Sequence, residues 1–457
     1  MKPIQRFIGA LGILLFAASH SPAQTPLFDD FPESATVRGQ LIDTWLTGAI
    51  NPARLMDAAD CTDRFGNVFS VSNALEPGAE LLAITVEPAD RDGVAAPVAS
   101  SSPAAPAVSQ GTWVLYRRLS DGLADHIRLY PVTDSRIFIT LHPDAAVTGK
   151  GKTLLDMSIY GAQACRNIPL GIAFDQLYTT SFSSIVAMTN GTVPWNLLTP
   201  DIDRYRDVAS LATGIREKLG TLVYLEDGAF NEDGEPVLIK TGERQNPDEV
   251  WTAIAKGQTP DEILGGVNCS GFAKWVIDGI VRPRTGNGLF IKPLMTPTDS
   301  AITIYSDPSL DNRDAYFALD WTRNLASAVV TVSALRTKKP DVSGVDVTMD
   351  AFTGTRGYSK NIGYRITDLM PLMYFLAVKE PGHFYLGAVS DDNRTPGLRE
   401  YHHVAVLLPY FDENGQFKVD VFESAVETPA ETFIRNNPSA YINLVRVRAP
   451  EDGYFQP

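Results

Sequence analysis

A chain of 457 residues with three cysteines and six histidines offers few places for thiol, imidazole or metal chemistry. Positive charge is short as well: 39 Lys and Arg face 54 Asp and Glu, a formal net charge of −15. No basic stripe exists to offset phosphate charge, which argues against nucleic acid and anionic lipid as partners. Cys61, Cys165 and Cys269 show none of the spacings of a zinc site, so neither a metal nor a cofactor is expected. Past the first two dozen residues no stretch is long and apolar enough to cross a membrane. His126 and His142 have no acidic or cysteine neighbours at ligand spacing, and read as surface or packing residues.

What is present begins with a secretory signal. Lys2 and Arg6 form a charged start, Phe7 to Ala18 an apolar run too short to anchor, and Ser21-Pro22-Ala23 a small-residue cleavage site. The expected location is the periplasm or the outside. An odd cysteine count in an exported chain suggests one pair and one leftover reactive thiol. Cys61 and Cys165, both in the N-terminal half, are the natural pair, their proximity left open.

Residues 24–193 read as a β-rich domain. Ser34 caps a first helix bearing Val37, Leu41, Trp45 and Leu46. Short alternating strands follow at Leu81 to Val86, Trp113 to Arg117, His126 to Val132, Ile137 to Leu141 and Leu154 to Tyr160, which points to a sandwich or barrel. Pro88 to Gly111, rich in Ala, Pro and Ser, is an excursion between strands. Helix starts then appear at Thr199-Pro200-Asp201, Asn246-Pro247 and Thr259-Pro260. A long helix is expected over Asn312 to Lys338, and another from Thr367 to Val378. After Pro381-Gly382 the period returns to strand, at His383 to Val389, Glu400 to Tyr410, Phe417 to Ser424 and Tyr441 to Arg448. Residues 194–457 are therefore an α+β domain.

The stretch from Gly265 to Val276 carries the chemistry. Cys269 follows a Gly-rich turn and precedes Phe272, Val276 and Ile280, which share one helical face. A helix N-terminus favours thiolate over thiol, and its free N–H groups can receive an oxyanion. The bland alternative is a small buried hydrophobe at the start of a core helix. His402 and His403 open the apolar strand Val404 to Leu408; neighbouring strand residues face opposite ways, so one ring turns to the cysteine helix as a general base. The hairpin at Asp412-Glu413-Asn414-Gly415 brings back Asp420 and Glu423 as candidates to orient that ring. A two-residue turn selects Asp420, and a three- or five-residue loop selects Glu423.

Asn268-Cys269-Ser270-Gly271-Phe272 resembles the nucleophile motif of the NlpC-type papain-like cell-wall cysteine peptidases. Pro381-Gly382-His383 is similar to their Pro-Gly-Asp strand opener, and His403-Val404-Ala405-Val406 to their His-Val strand. Asn268 and His383 stand where the family has aspartates, and an insertion near residues 283–364 lengthens the Cys-to-His interval. The resemblance implies a papain-like domain, a cysteine helix packed on an antiparallel sheet, preceded here by the β-rich sandwich-like domain. It implies Cys269 as nucleophile, His403 as base and Glu423 as orienting acid, acting on a peptidoglycan stem peptide or another amide. The Cys269, His403, Asp420 order also resembles transglutaminase-like proteins, although Val404 and Val421-Phe422 depart from their pattern. A third reading is a non-catalytic exported binding protein. Tyr224 is a candidate second oxyanion donor beside the Cys269 N–H.

Overall fold

The computed structural model describes residues 28, 31–50, 58–89, 108–145, 152–255, 257–299, 310–312, 315–317, 319–331, 342–350, 352, 355, 357–392 and 398–457. The signal segment, most of the 88–111 excursion and parts of the 283–364 insertion lie outside the described residues. Helix and strand are mixed, and two large sheets with mainly antiparallel pairing organise the chain.

Ser34 opens the first helix as its spacing predicts. Its Oγ accepts from the Val37 N–H at 3.2 Å, and α1 (Ala35–Leu41) passes into a π-helical turn over Ile42–Leu46. Then come β1 (Ala58–Thr62), β2 (Val68–Leu75), β3 (Leu81–Pro88) and β4 (Trp113–Arg118). They are followed by β5 (Ala124–Leu129), β6 (Ile137–Pro143), β7 (Lys152–Ile159) and β8 (Ala162–Ala173). These pair strictly in chain order, each antiparallel to the next. The sandwich-like expectation is corrected: the described strands form one eight-stranded meander. Alternation does bury one face, with Val71, Ile84, Leu115, Ile127, Ile139 and Met157 in a single cluster. That face is covered by α1 and α2 (Phe182–Met188), through Val37, Leu41, Phe182 and Ile185, and not by a second sheet. Cys61 on β1 and Cys165 on β8 sit on the two end strands as free thiols, so the anticipated pair is not formed.

The second half starts with α3 (Arg206–Lys218), β9 (Leu222–Tyr224), β10 (Gly228–Phe230), β11 (Pro236–Leu238) and α4 (Pro247–Thr252), the last capped by Asn246. β12 (Gly265–Val267) pairs parallel with β9 and runs into α5 (Cys269–Thr285). Next are α6 (Ile291–Leu294), β13 (Leu310–Asn312), α7 (Leu319–Val330), β14 (Tyr364–Arg365) and α8 (Leu369–Lys379). The chain finishes with β15 (His383–Asp392), β16 (Leu398–Phe411), β17 (Phe417–Glu423), β18 (Val426–Pro429), α9 (Ala430–Asn436) and β19 (Tyr441–Arg448). The sheet order is β14-β19-β15-β16-β17-β18, with β13 alongside β16. Of the helix expected over 312–338, Leu319–Val330 is observed as α7; Asn312 ends strand β13 and 315–317 form a turn instead, and residues 332–338 lie outside the described residues.

This sheet is covered on both faces. Phe272, Val276 and Ile280 of α5 and Trp321 and Leu325 of α7 pack on Val404, Val406, Phe422 and Val445. Leu372 and Leu376 of α8 and Phe433 of α9 pack on Ala405, Leu407 and Leu444. Alternation along β16 thus sorts even positions to α5 and odd ones to α8. The two halves share apolar surface: Tyr205, Tyr374 and Phe411 belong to the cluster under the N-terminal sheet, and the Tyr374 hydroxyl donates to the Leu197 carbonyl at 2.6 Å.

Candidate active site

Cys269 owes its position to a rigid entry strand. Buried Gln245 brackets Gly266, donating to its carbonyl at 2.8 Å while its own Oε1 accepts from the Gly266 N–H at 2.8 Å. The same amide donates to Ala229 and Val237, tying β12 to the β10–β11 hairpin. Asn268 then caps α5: Oδ1 accepts from the Gly271 N–H at 2.7 Å, and Nδ2 donates to the Glu226 carbonyl at 2.9 Å. An aspartate could make the first bond but not the second. A Cβ at Gly271 would overlap the Gly228 carbonyl oxygen, so glycine lets the first helical turn seat directly on β10. Cys269 is the first residue of a 17-residue helix and is 5 % exposed.

His403 comes from β16, where strict alternation would turn it from α5. The pairing with β15 shifts by one residue at this point: Val389 faces His403, and Ser390 faces Tyr401. Tyr401 packs with Leu319 and Ala388, and Val404 packs in the Cys269 cluster, so two residues three apart lie toward the α5–α7 side. A bulge of this kind re-aims a side chain. Cys269 is among the groups that raise the His403 pKa, which puts its sulfur beside the ring. The ring Nε2 is 2.6 Å from Glu423 Oε2. His402 is turned outward, with Nε2 4.0 Å from Asp391.

Register decides between the two acids. Phe411 is the partner of Phe417, leaving Asp412 to Gln416 as a five-residue connection, and Val406 is the partner of Phe422. This register puts Glu423 with His403. Asp420 is held elsewhere, 2.9 Å from Arg216 and 3.0 Å from the Tyr410 hydroxyl. Sequence reasoning missed Thr428, whose hydroxyl donates to Glu423 Oε1 at 2.7 Å; β18 is four residues long and has no periodic signal.

Burial works against charge on His403, but its hydrogen bonds to Cys269 and Glu423 outweigh that and raise its pKa to about 9. Burial likewise works against charge on Glu423, yet its bonds to His403 and Thr428 leave its pKa below the ordinary value. The arrangement is a buried sulfur, a protonated ring and an ionised carboxylate in sequence. Imidazole and carboxylate are 22 % and 21 % exposed, so solvent reaches that end of the chain of contacts. Tyr224 is 58 % exposed, and its strand partner Val267 is two residues before Cys269.

The segment read as an insertion touches the helix that carries Cys269. Ser270 Oγ donates to the Tyr316 carbonyl at 2.6 Å, and Trp321 Nε1 donates to the Ser270 carbonyl at 3.2 Å. A separate open groove of about 570 Å³ between α3 and the β16–β17 hairpin, lined by Tyr205, Arg206, Thr213 and Phe411, contains none of these residues. With that geometry in place, comparison with known proteins bears on the other half of the chain. Residues 27–197 match the model of a family described as a domain of unknown function (DUF8515). No curated protein and no solved structure matches the chain. The match ends before α3, so Cys269, His403 and Glu423 all lie outside it. Among the described residues no group of His, Cys, Asp and Glu could hold a metal ion.

Proposed function

We propose that the chain is an exported cysteine hydrolase with a papain-like second domain that cleaves an amide bond in a peptidoglycan stem peptide. The observation that carries this reading is the contact chain from Cys269 through His403 to Glu423, assembled from a helix start and two strands. A cysteine helix packed on an antiparallel sheet, in the order helix then His strand then acid strand, supports the papain-like part.

In this reading an imidazolium beside the sulfur favours the thiolate. The thiolate attacks the amide carbonyl, and the Cys269 N–H at the helix start donates to the oxyanion. His403 passes its proton to the leaving amine as the C–N bond breaks and a thioester forms. The neutral ring then takes a proton from water, whose oxygen attacks the thioester and frees the acid. Glu423 holds the ring orientation throughout and stays ionised. No metal or cofactor enters the scheme.

The transglutaminase-like alternative needs Asp420 as its acid. That carboxylate is bound to Arg216 and Tyr410 instead, which favours the hydrolase. The test uses purified sacculi and the full exported chain. The wild type releases peptide fragments whose masses identify the bond cut, and Cys269→Ala releases none while still unfolding cooperatively. Equal release by both proteins would overturn the proposal.

A further inference from the structure

Thr428 lies on β18, the short strand returning from a two-residue turn after Glu423. Its partner across the ladder is Val421, so it stands diagonal to Glu423 on the same face. From there its hydroxyl reaches Glu423 Oε1 at 2.7 Å, while Oε2 faces His403 Nε2 at 2.6 Å. The carboxylate is fixed at both oxygens, by one neutral donor and one ring. The turn that allows this is tight. Ser424 and Ala425 have φ of 49° and 68°, left-handed backbone that usually falls to Asn and Gly. Ala425 also packs against the apolar cluster that contains Cys269. Strained backbone without glycine persists where its surroundings hold it, and here it delivers Thr428 to the acid.

We propose that Thr428 is a positioning residue of this site, fixing the orientation in which the Glu423 carboxylate receives the His403 ring. The proposal rests on the Cys269, His403 and Glu423 reading. The groups facing the acid are His403 from β16 and Thr428 from β18, and the group facing the ring from α5 is Cys269. With the hydroxyl gone, Oε1 loses this donor and the carboxylate is held through Oε2 alone, free to rotate about that contact.

The test compares the full-length wild type with Thr428→Val, Thr428→Ser and Thr428→Ala. It measures the His403 titration midpoint by NMR of histidine-labelled protein, the rate of Cys269 alkylation by iodoacetamide, and the melting temperature. Thr428→Val keeps the shape of the side chain and is expected to lower the midpoint and slow alkylation about tenfold at neutral pH, the scale of one hydrogen bond to a charged group. Thr428→Ser, which keeps the hydroxyl, is expected to restore both. Thr428→Ala reads the same quantities should Val disturb the turn. An unchanged midpoint and rate in Thr428→Val and Thr428→Ala, in a protein whose His403 midpoint still responds to Cys269→Ala, overturns the role of Thr428 alone. A His403 midpoint indifferent to Cys269→Ala overturns the parent reading, and this role with it.

Discussion

At the scale of single residues, His403 makes stability depend on pH. Its pKa is raised from 6.5 to about 9: burial opposes the charge, and the bonds to Cys269 and Glu423 more than offset it. A raised folded-state pKa means the protonated ring stabilises the native state. That contribution is fully present below about pH 6.5 and is lost as pH rises through about 9. Cys269→Ala removes one of the two bonds, so the His403 midpoint falls and the loss moves to lower pH; denaturant unfolding across pH 6 to 10 checks it. Gly271→Ala pushes a methyl group into the Gly228 carbonyl and is expected to cost about 1–3 kcal/mol and to displace the sulfur. These positions were partly legible. Cys269 at a helix start follows from the Gly-rich turn ahead of it and the apolar spacing behind it, whereas the cap role of Asn268 appears only in the structure. That His403 and not His402 meets the sulfur is not legible, because a one-residue bulge between Tyr401 and Val404 cancels the alternation from which a strand is read.

At the scale of elements, the site depends on how β12 enters α5 and how β17 returns beside β16. Gln245 satisfies four backbone groups around Gly266, and Gln245→Leu would strand them in the interior. The expected cost is about 2–3 kcal/mol in urea unfolding, with Cys269 alkylation altered because its strand is loosened. Within α5, Lys274 and Asp278 form a buried pair at 2.5 Å, and Asp278 also accepts from the Leu289 N–H at 2.7 Å. Lys274→Met leaves that carboxylate unpaired and is expected to cost about 3–5 kcal/mol, with Asp278→Asn in the same chain recovering part of it. The five clearest strands of the N-terminal half were legible because one face of each is apolar and buried. β1 was not: its side chains are mostly exposed, and Ala-Ala-Asp-Cys-Thr carries no alternation. Strands β9 to β12 are three residues long, below the length at which a period of two can be seen. Alternation also reports only that a face is covered, and here helices cover it where a second sheet was expected.

For the whole molecule, the boundary near residue 193 separates two sheets, and the core cluster of the first reaches across it. Tyr374 of α8 is buried in the cluster under the N-terminal meander, and its hydroxyl reaches Leu197. Tyr374→Ala is expected to cost about 3–5 kcal/mol and to split a single unfolding transition into two, as calorimetry would show. At the far end the chain closes over the cysteine helix: Phe455 packs on Trp275 with ring centroids 5.2 Å apart, and Gln456 N–H donates to the Gly279 carbonyl. The helix bearing Cys269 is thus clamped by β12 before it, the insertion beside it and the C-terminus behind it. The central claim is that its sulfur and the His403 ring act as one ionised pair. The most direct measurement is the pH dependence of Cys269 alkylation by iodoacetamide, in the wild type and in His403→Ala. The account predicts that between about pH 6 and 8 the wild type is alkylated about tenfold faster than His403→Ala, or more. Equal rates in the two proteins across that range would contradict it.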